Sequence, residues 1–237
     1  HSEPIDMYDN KNETMQLRNE KISLSVLWEE KARKLSLLPE LNNIDNVIAS
    51  NYVRAIATLN NIDNVIASNY VRAIATAKYI AFNNKKNIEV IPEFGERKFG
   101  NINSWSDLPK GFSDKQIKDW DYKFEGGESF NEVCERMYFA LQSVLKKYKG
   151  KKIFIVSHGT AISVLFSKIA HVEFYDEENY NRGIYFNGKL IFDGKYDAPE
   201  LFKLEYEDEK LVLDEILSIY KPFWTCKYNG KKIFLDA

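Results

Sequence analysis

The sequence predicts an α/β protein, a mostly parallel sheet flanked by helices, with a β-hairpin-rich addition at its C-terminal end. Three observations carry this. Lys152 to Leu165, KIFIVSHGTAISVL, runs from apolar and β-branched residues through a polar turn into an apolar helical pattern. A short apolar run bounded by turn signals reads as a strand buried on both faces, as strands of parallel sheets are. Before it, Ser129 with Glu132 three residues on forms a capping box, and Val133, Met137, Ala140 and Val144 follow at helical spacing until Gly150 closes the helix. After Ala170 the pattern changes. Gly183 to Phe192 holds Asn187-Gly188 between apolar runs, and Leu201 to Ile216 and Trp224 to Leu235 alternate similarly, the latter around Asn229-Gly230.

The remaining elements follow in order. His1 to Lys21 is polar and unpatterned and reads as a loop. Ile22 to Leu38 contains a helix, with Ser25 as N-cap and Val26, Leu27, Ala32 and Leu35 on an apolar side. Ile88 to Pro92 is a short strand, and Glu93 to Gly127 is loop-rich. We expect a single domain over residues 1–237, with a motif-bearing core at 1–176 and a β-rich extension at 177–237, because no Pro, Gly or Ser linker divides them.

One feature is unusual. LNNIDNVIASNYVRAIAT at 41–58 recurs letter for letter at 59–76. Two units do not make a solenoid, and ancient repeats diverge, so this reads as a very recent duplication or an artefact rather than a functional repeat. Each copy reads as strand, turn and helix start, and one is surplus to the fold. Only the second continues in helical pattern through Ala77, Ile80 and Ala81. The second is therefore expected to supply strand, helix and Arg72, and the first to form an insertion. If the order is reversed, Arg54 takes the place of Arg72.

Composition excludes several function classes. With 44% hydrophobic residues the chain can bury a sizeable core, and a formal net charge of −2 gives no basic excess for nucleic acid or an anionic membrane. No apolar run approaches the roughly 20 residues of a spanning helix. Two cysteines, Cys134 and Cys226, form no framework, so a reducing, cytoplasmic setting is the default.

The motifs fall into a known order. His1-Ser2-Glu3-Pro4, Ser68 to Ala73 with Thr76-Ala77, Glu96 to Gly100, Gly127-Glu128-Ser129 and Val156-Ser157-His158-Gly159 resemble the successive signatures of the histidine phosphatase, or phosphoglycerate mutase-like, superfamily. The resemblance implies an α/β fold and metal-independent hydrolysis of small phosphorylated metabolites, without a cofactor. By resemblance, His1 is the nucleophile that becomes phosphorylated. His158 is the second imidazole, Arg72 grips the phosphate and Glu96 is the acid–base group, with Glu93 its nearest competitor. Ser2, Gly159 and Thr160 belong to the phosphate pocket. Those chemical types suit phosphoryl transfer, which needs positive charge around the equatorial oxygens, an in-line nucleophile and a proton for the leaving oxygen. Ser129 and Glu132 read as helix caps rather than catalysts, and His171 as a surface residue. No His, Asp or Glu cluster has metal-site spacing. The resemblance also implies a short strand and an Arg immediately upstream of His1, and Met7 stands where the family often has Asn. Two alternatives remain: a phosphoglycerate-type mutase, and a catalytically dead phosphate-binding module. The stretch of about thirty residues between Glu96 and Gly127 is shorter than the mutases' insertion and favours a phosphatase.

Overall fold

The computed structural model describes residues 13–44, 46–49, 70–176, 181–186, 189–192, 200–207 and 210–218. His1, Ser2, Arg54 and the expected Trp224 to Leu235 hairpin lie outside them.

At the centre is a parallel sheet of three strands, β1 (Asn46–Ala49), β2 (Ile88–Val90) and β3 (Ile153–Val156), in the order β2-β1-β3. The β3 side chains alternate between two cores. Phe154 and Val156 meet the helix α3 (Val71–Asn83) through Ile74, Ala77 and Ile80. Ile153 and Ile155 meet α5 (Phe130–Lys147) and α6 (Gly159–Phe166) through Val133, Met137, Ala140, Val144, Ala161 and Val164. Helices on both faces explain why β3 is apolar throughout. The capping box at Ser129 and Glu132 is present, with both reciprocal bonds formed, and Gly150 adopts φ +73° just past α5.

Helix α6 is apolar on nearly every side because it is covered twice. Ala161 and Val164 face α5, while Ile162 and Phe166, with Ile169 just past the helix, pack on the C-terminal strands through Ile184, Phe192 and Phe202. Those strands are β4 (His171–Asp176), β5 (Asn181–Phe186) and β6 (Lys189–Phe192), antiparallel in that order, and a hairpin of β7 (Glu200–Glu207) and β8 (Lys210–Ser218). The pairing of Phe186 with Lys189 matches the hairpin expected at Asn187-Gly188.

Three expectations are corrected. A helix, α1 (Met15–Lys21), forms in the supposed N-terminal loop, capped by the Thr14 side chain accepting from the Leu17 amide. A second, α4 (Phe112–Lys118), lies in the loop-rich stretch. In α2 (Val26–Leu35) the buried stripe is Trp28, Ala32 and Leu35, at spacings of four and three, whereas Val26 and Leu27 are exposed. Trp28 and Ala32 pack on Ala75 of α3.

The duplication is used in a way the sequence did not suggest. The strand comes from the first copy and the helix from the second, with residues 50–69 between them. The two strand segments are identical, so only their flanks can discriminate. The first copy follows directly on the Pro39–Leu41 turn, and its Leu41 and Ile44 are buried beside Leu35. Ala49 ends β1 opposite Val156, and Tyr70, which precedes α3, packs on Val156. One uninterrupted copy has two residues, Ser and Asn, between these positions, with a chain reach of about 3.3–3.6 Å per residue. Removing any 18 consecutive residues that begin between 41 and 59 yields one and the same sequence. We expect this shortened protein to fold, with an unfolding midpoint within a few degrees of the full chain by circular dichroism. Its unfolding would show the repeat to be structural.

Candidate active site

The site lies where β3 ends and α3 begins. His158 leaves β3 as the N-cap of α6 and is 3% exposed. Its ring lies 4.2 Å from that of Tyr70, tilted by 53°. The Arg72 guanidinium carbon stands 4.4 Å from the Tyr70 ring, a cation–π contact. Tyr70 therefore touches both the expected imidazole and the expected arginine. Helix α1 braces the pair: Arg72 Nη1 donates to Asn19 O at 2.9 Å and Asn19 Oδ1 at 3.3 Å, and Gln16 Nε2 donates to the Tyr70 hydroxyl at 3.3 Å. Sequence reasoning gave no role to Tyr70, Asn19 or Gln16. The Thr14 cap was the only signal for α1.

Burial sets the electrostatics. Desolvation, with the Arg72 charge behind it, holds His158 well below the usual imidazole range, so the ring is neutral at pH 7. Desolvation, then the charge of Glu96, raises the Tyr70 phenol, which stays protonated. Burial also lowers Arg72, but a guanidinium remains charged at neutral pH. The histidine has a consequence for stability. Its folded value lies below its unfolded value near 6.5, so its contribution is full above about pH 6.5 and is lost as pH falls towards the folded value, by up to about 1.4 kcal/mol per pH unit. Chemical denaturation between pH 7 and pH 5 should show this slope, and His158→Gln should flatten it. An unchanged slope in the variant would mean that His158 is not buried neutral.

Glu96 lies at the N-terminus of α6. Its Oε1 accepts from the amides of Arg97, at 2.9 Å, and Ala161, at 3.1 Å, and its Oε2 from Thr160 at 3.4 Å. A carboxylate here meets the partial positive end of the helix, the position an anion favours. Thus Thr160, expected to face phosphate, directs its amide to Glu96. Gly159 is buried and Thr160 partly buried beside His158. Glu93 is exposed, and its backbone carbonyl accepts from Arg136 Nη1. His171 is exposed on β4. The spacing of the Glu96 motif has a backbone reason: Gly100 adopts φ +111°, where a Cβ would lie 2.4 Å from Glu125 O.

A cavity of about 1800 Å³ opens beside this cluster, with Arg72, Thr76, Ser157 and His158 among the polar residues that line it and Ile155 and Leu204 among the apolar ones. It exceeds a typical ligand pocket of about 300–1,000 Å³, so the polar side chains define the site more closely than the cavity does. Among the described residues, Arg72, Glu96, His158, Gly159 and Thr160 come together here.

Comparison with known proteins agrees in kind. The model of the histidine phosphatase superfamily (branch 1) matches residues 59–182. The chain is 31% identical over 86 residues to a metal-independent phosphoserine phosphatase of Arabidopsis thaliana, covering 33% of this chain and 36% of that protein. It is 36% identical over 77 residues to "Probable phosphoglycerate mutase GpmB" of Klebsiella pneumoniae (strain 342), covering 32% and 36%. The alignments thus span about a third of the length of these curated relatives. In fold it is similar to a mutant phosphoserine phosphatase from Entamoeba histolytica solved with phosphoserine, with a TM-score of 0.54, 16% identity, and 86% and 87% of the two chains covered. No helix among the described residues is long and apolar enough to cross a membrane.

Proposed function

Since the chain belongs to branch 1 of the histidine phosphatase superfamily, we propose that it is a metal-independent phosphomonoester hydrolase that acts on small phosphorylated metabolites through a phosphohistidine at His1. The observation that carries this is the junction of a buried, neutral His158, an Arg72 braced by Tyr70 and Asn19, and Glu96 at the start of α6. The relatives named above, one a phosphatase independent of metal, support it.

In this reading a ring nitrogen of His1 attacks phosphorus and the bond to the leaving oxygen breaks. Glu96, protonated for this step, gives that oxygen its proton. Arg72 and an N–H of neutral His158 hold the equatorial oxygens as charge spreads over them. Glu96, now a carboxylate, takes a proton from a water that attacks the phosphohistidine. The P–N bond breaks and inorganic phosphate leaves.

The mutase reading has one observation in its favour, the similarity to "Probable phosphoglycerate mutase GpmB". A mutase would return the phosphoryl group to a second hydroxyl instead of water. The test is a screen of sugar, nucleotide, glycerate and phosphoprotein substrates, with and without chelator. Phosphate release that persists in chelator is expected. An isomerised phosphoacid without net phosphate release would establish the mutase, and phosphate binding without turnover would establish the inactive module.

A further inference from the structure

We infer that the ion pair of Glu128 and Arg136 is a positioning clamp that sets Glu96 against α6 for proton transfer. The inference rests on the acid–base role of Glu96 proposed above. Arg136, on α5, donates from Nε to Glu128 Oε1 and from Nη2 to Glu128 Oε2, both at 2.9 Å. This is the bidentate fork geometry that fixes orientation as well as charge. The pair is mostly buried, with side-chain exposures of 18% and 14%, so solvent screens it less than a surface bridge.

Both partners then spend their remaining capacity on the backbone around Glu96. Arg136 Nη1 donates to Gly95 O at 3.2 Å and to Glu93 O at 2.5 Å. Glu128 Oε2 accepts from the Lys98 amide at 3.0 Å, and the Glu128 amide donates to Lys98 O at 2.9 Å. Residues 93, 95 and 98 are thereby held on both sides of Glu96. A third anchor comes from β3's end, where Ser157 Oγ donates to Phe94 O at 2.8 Å. Behind Glu128, the fully buried Gln116 donates to Glu128 O at 3.0 Å. Gly127 permits the approach, because a Cβ there would meet Phe99 O at 2.8 Å. The clamp is far more extensive than helix capping requires, and the bonds that Arg136, Glu128 and Ser157 make to backbone all fall within the six residues 93–98 around one carboxylate.

A clamp acting through the acid predicts a selective defect. An alkyl phosphate has a poor leaving oxygen and needs the proton, whereas p-nitrophenyl phosphate barely does. Arg136→Met should lower kcat/KM, which reports the step up to loss of the leaving group, by about 10²-fold for an alkyl phosphate. For p-nitrophenyl phosphate the loss should be under about threefold, and inhibition by inorganic phosphate should be unchanged. Glu128→Gln, which keeps the shape, should give the same pattern. Amide hydrogen exchange in the whole protein provides a readout free of activity: the Lys98 and Ala161 amides should exchange at least about tenfold faster in Arg136→Met, with β3 unchanged. Equal losses on both substrates, or unchanged exchange at both amides, would overturn the clamp. A wild-type protein inactive on both substrates would instead sink the hydrolase reading, and the exchange data alone would then decide the clamp.

Discussion

Arg72→Ala is expected to lower kcat/KM for phosphomonoester hydrolysis by at least about 10²-fold, while Arg54→Ala should leave it within about twofold. The two arginines occupy the same local sequence, so composition and neighbours cannot separate them; the described surroundings of Arg72 are what single it out. Arg72 sits in the first turn of α3, 4.4 Å from the Tyr70 ring and bonded to Asn19, beside buried His158. Removing a preorganised donor to developing oxyanion charge costs about 10²–10³-fold, and a charged planar fork is the stronger kind of donor. Arg72→Lys should recover little, because an ammonium keeps the charge but loses the fork and the stacking. The comparison is read beside the unfolding midpoint of each variant, so that loss of fold is not mistaken for loss of chemistry. If Arg54→Ala is the inactive variant, the two copies have exchanged places and the site is built on the wrong arginine.

Much of this arrangement is legible in the chain, for local reasons. β3 is apolar because both its faces are covered, and α5 announces itself through Ser129, Glu132 and a stripe with one period. The β5–β6 hairpin follows from Asn187-Gly188. Each signal lies within a few residues. What escaped reading is made of contacts far apart in sequence. Helix α1 has one buried residue, Met15, and so no periodic stripe; its worth lies in Gln16 and Asn19 reaching Tyr70 and Arg72 more than fifty residues away. Val26 and Leu27 look like core residues until the position of α3 shows which side of α2 is covered. Glu128 and Arg136, eight apart, straddle a loop and a helix and match no i,i+4 pattern. The choice between identical strands could not be read at all, since it depends on the tether from α2 and not on the strand. For the site, the residue types at His158, Arg72 and Glu96 were readable from motif order, but their mutual support through Tyr70 and α6 was not.

The second large effect concerns His1, which carries the central claim. A phosphohistidine divides one difficult displacement into two easier ones, and among the described residues His158 is buried against Tyr70 and Glu96 is engaged by the amides of α6. His1→Ala should therefore reduce turnover by several orders of magnitude while inorganic phosphate still binds through Arg72. The most direct measurement is rapid quenching of the protein during turnover of a phosphorus-labelled substrate, followed by peptide mapping. The account predicts a label on His1 that is lost in acid and kept in base, as a phosphoramidate behaves, and that is absent from His1→Ala. An acid-stable label, or full turnover by His1→Ala, would contradict it.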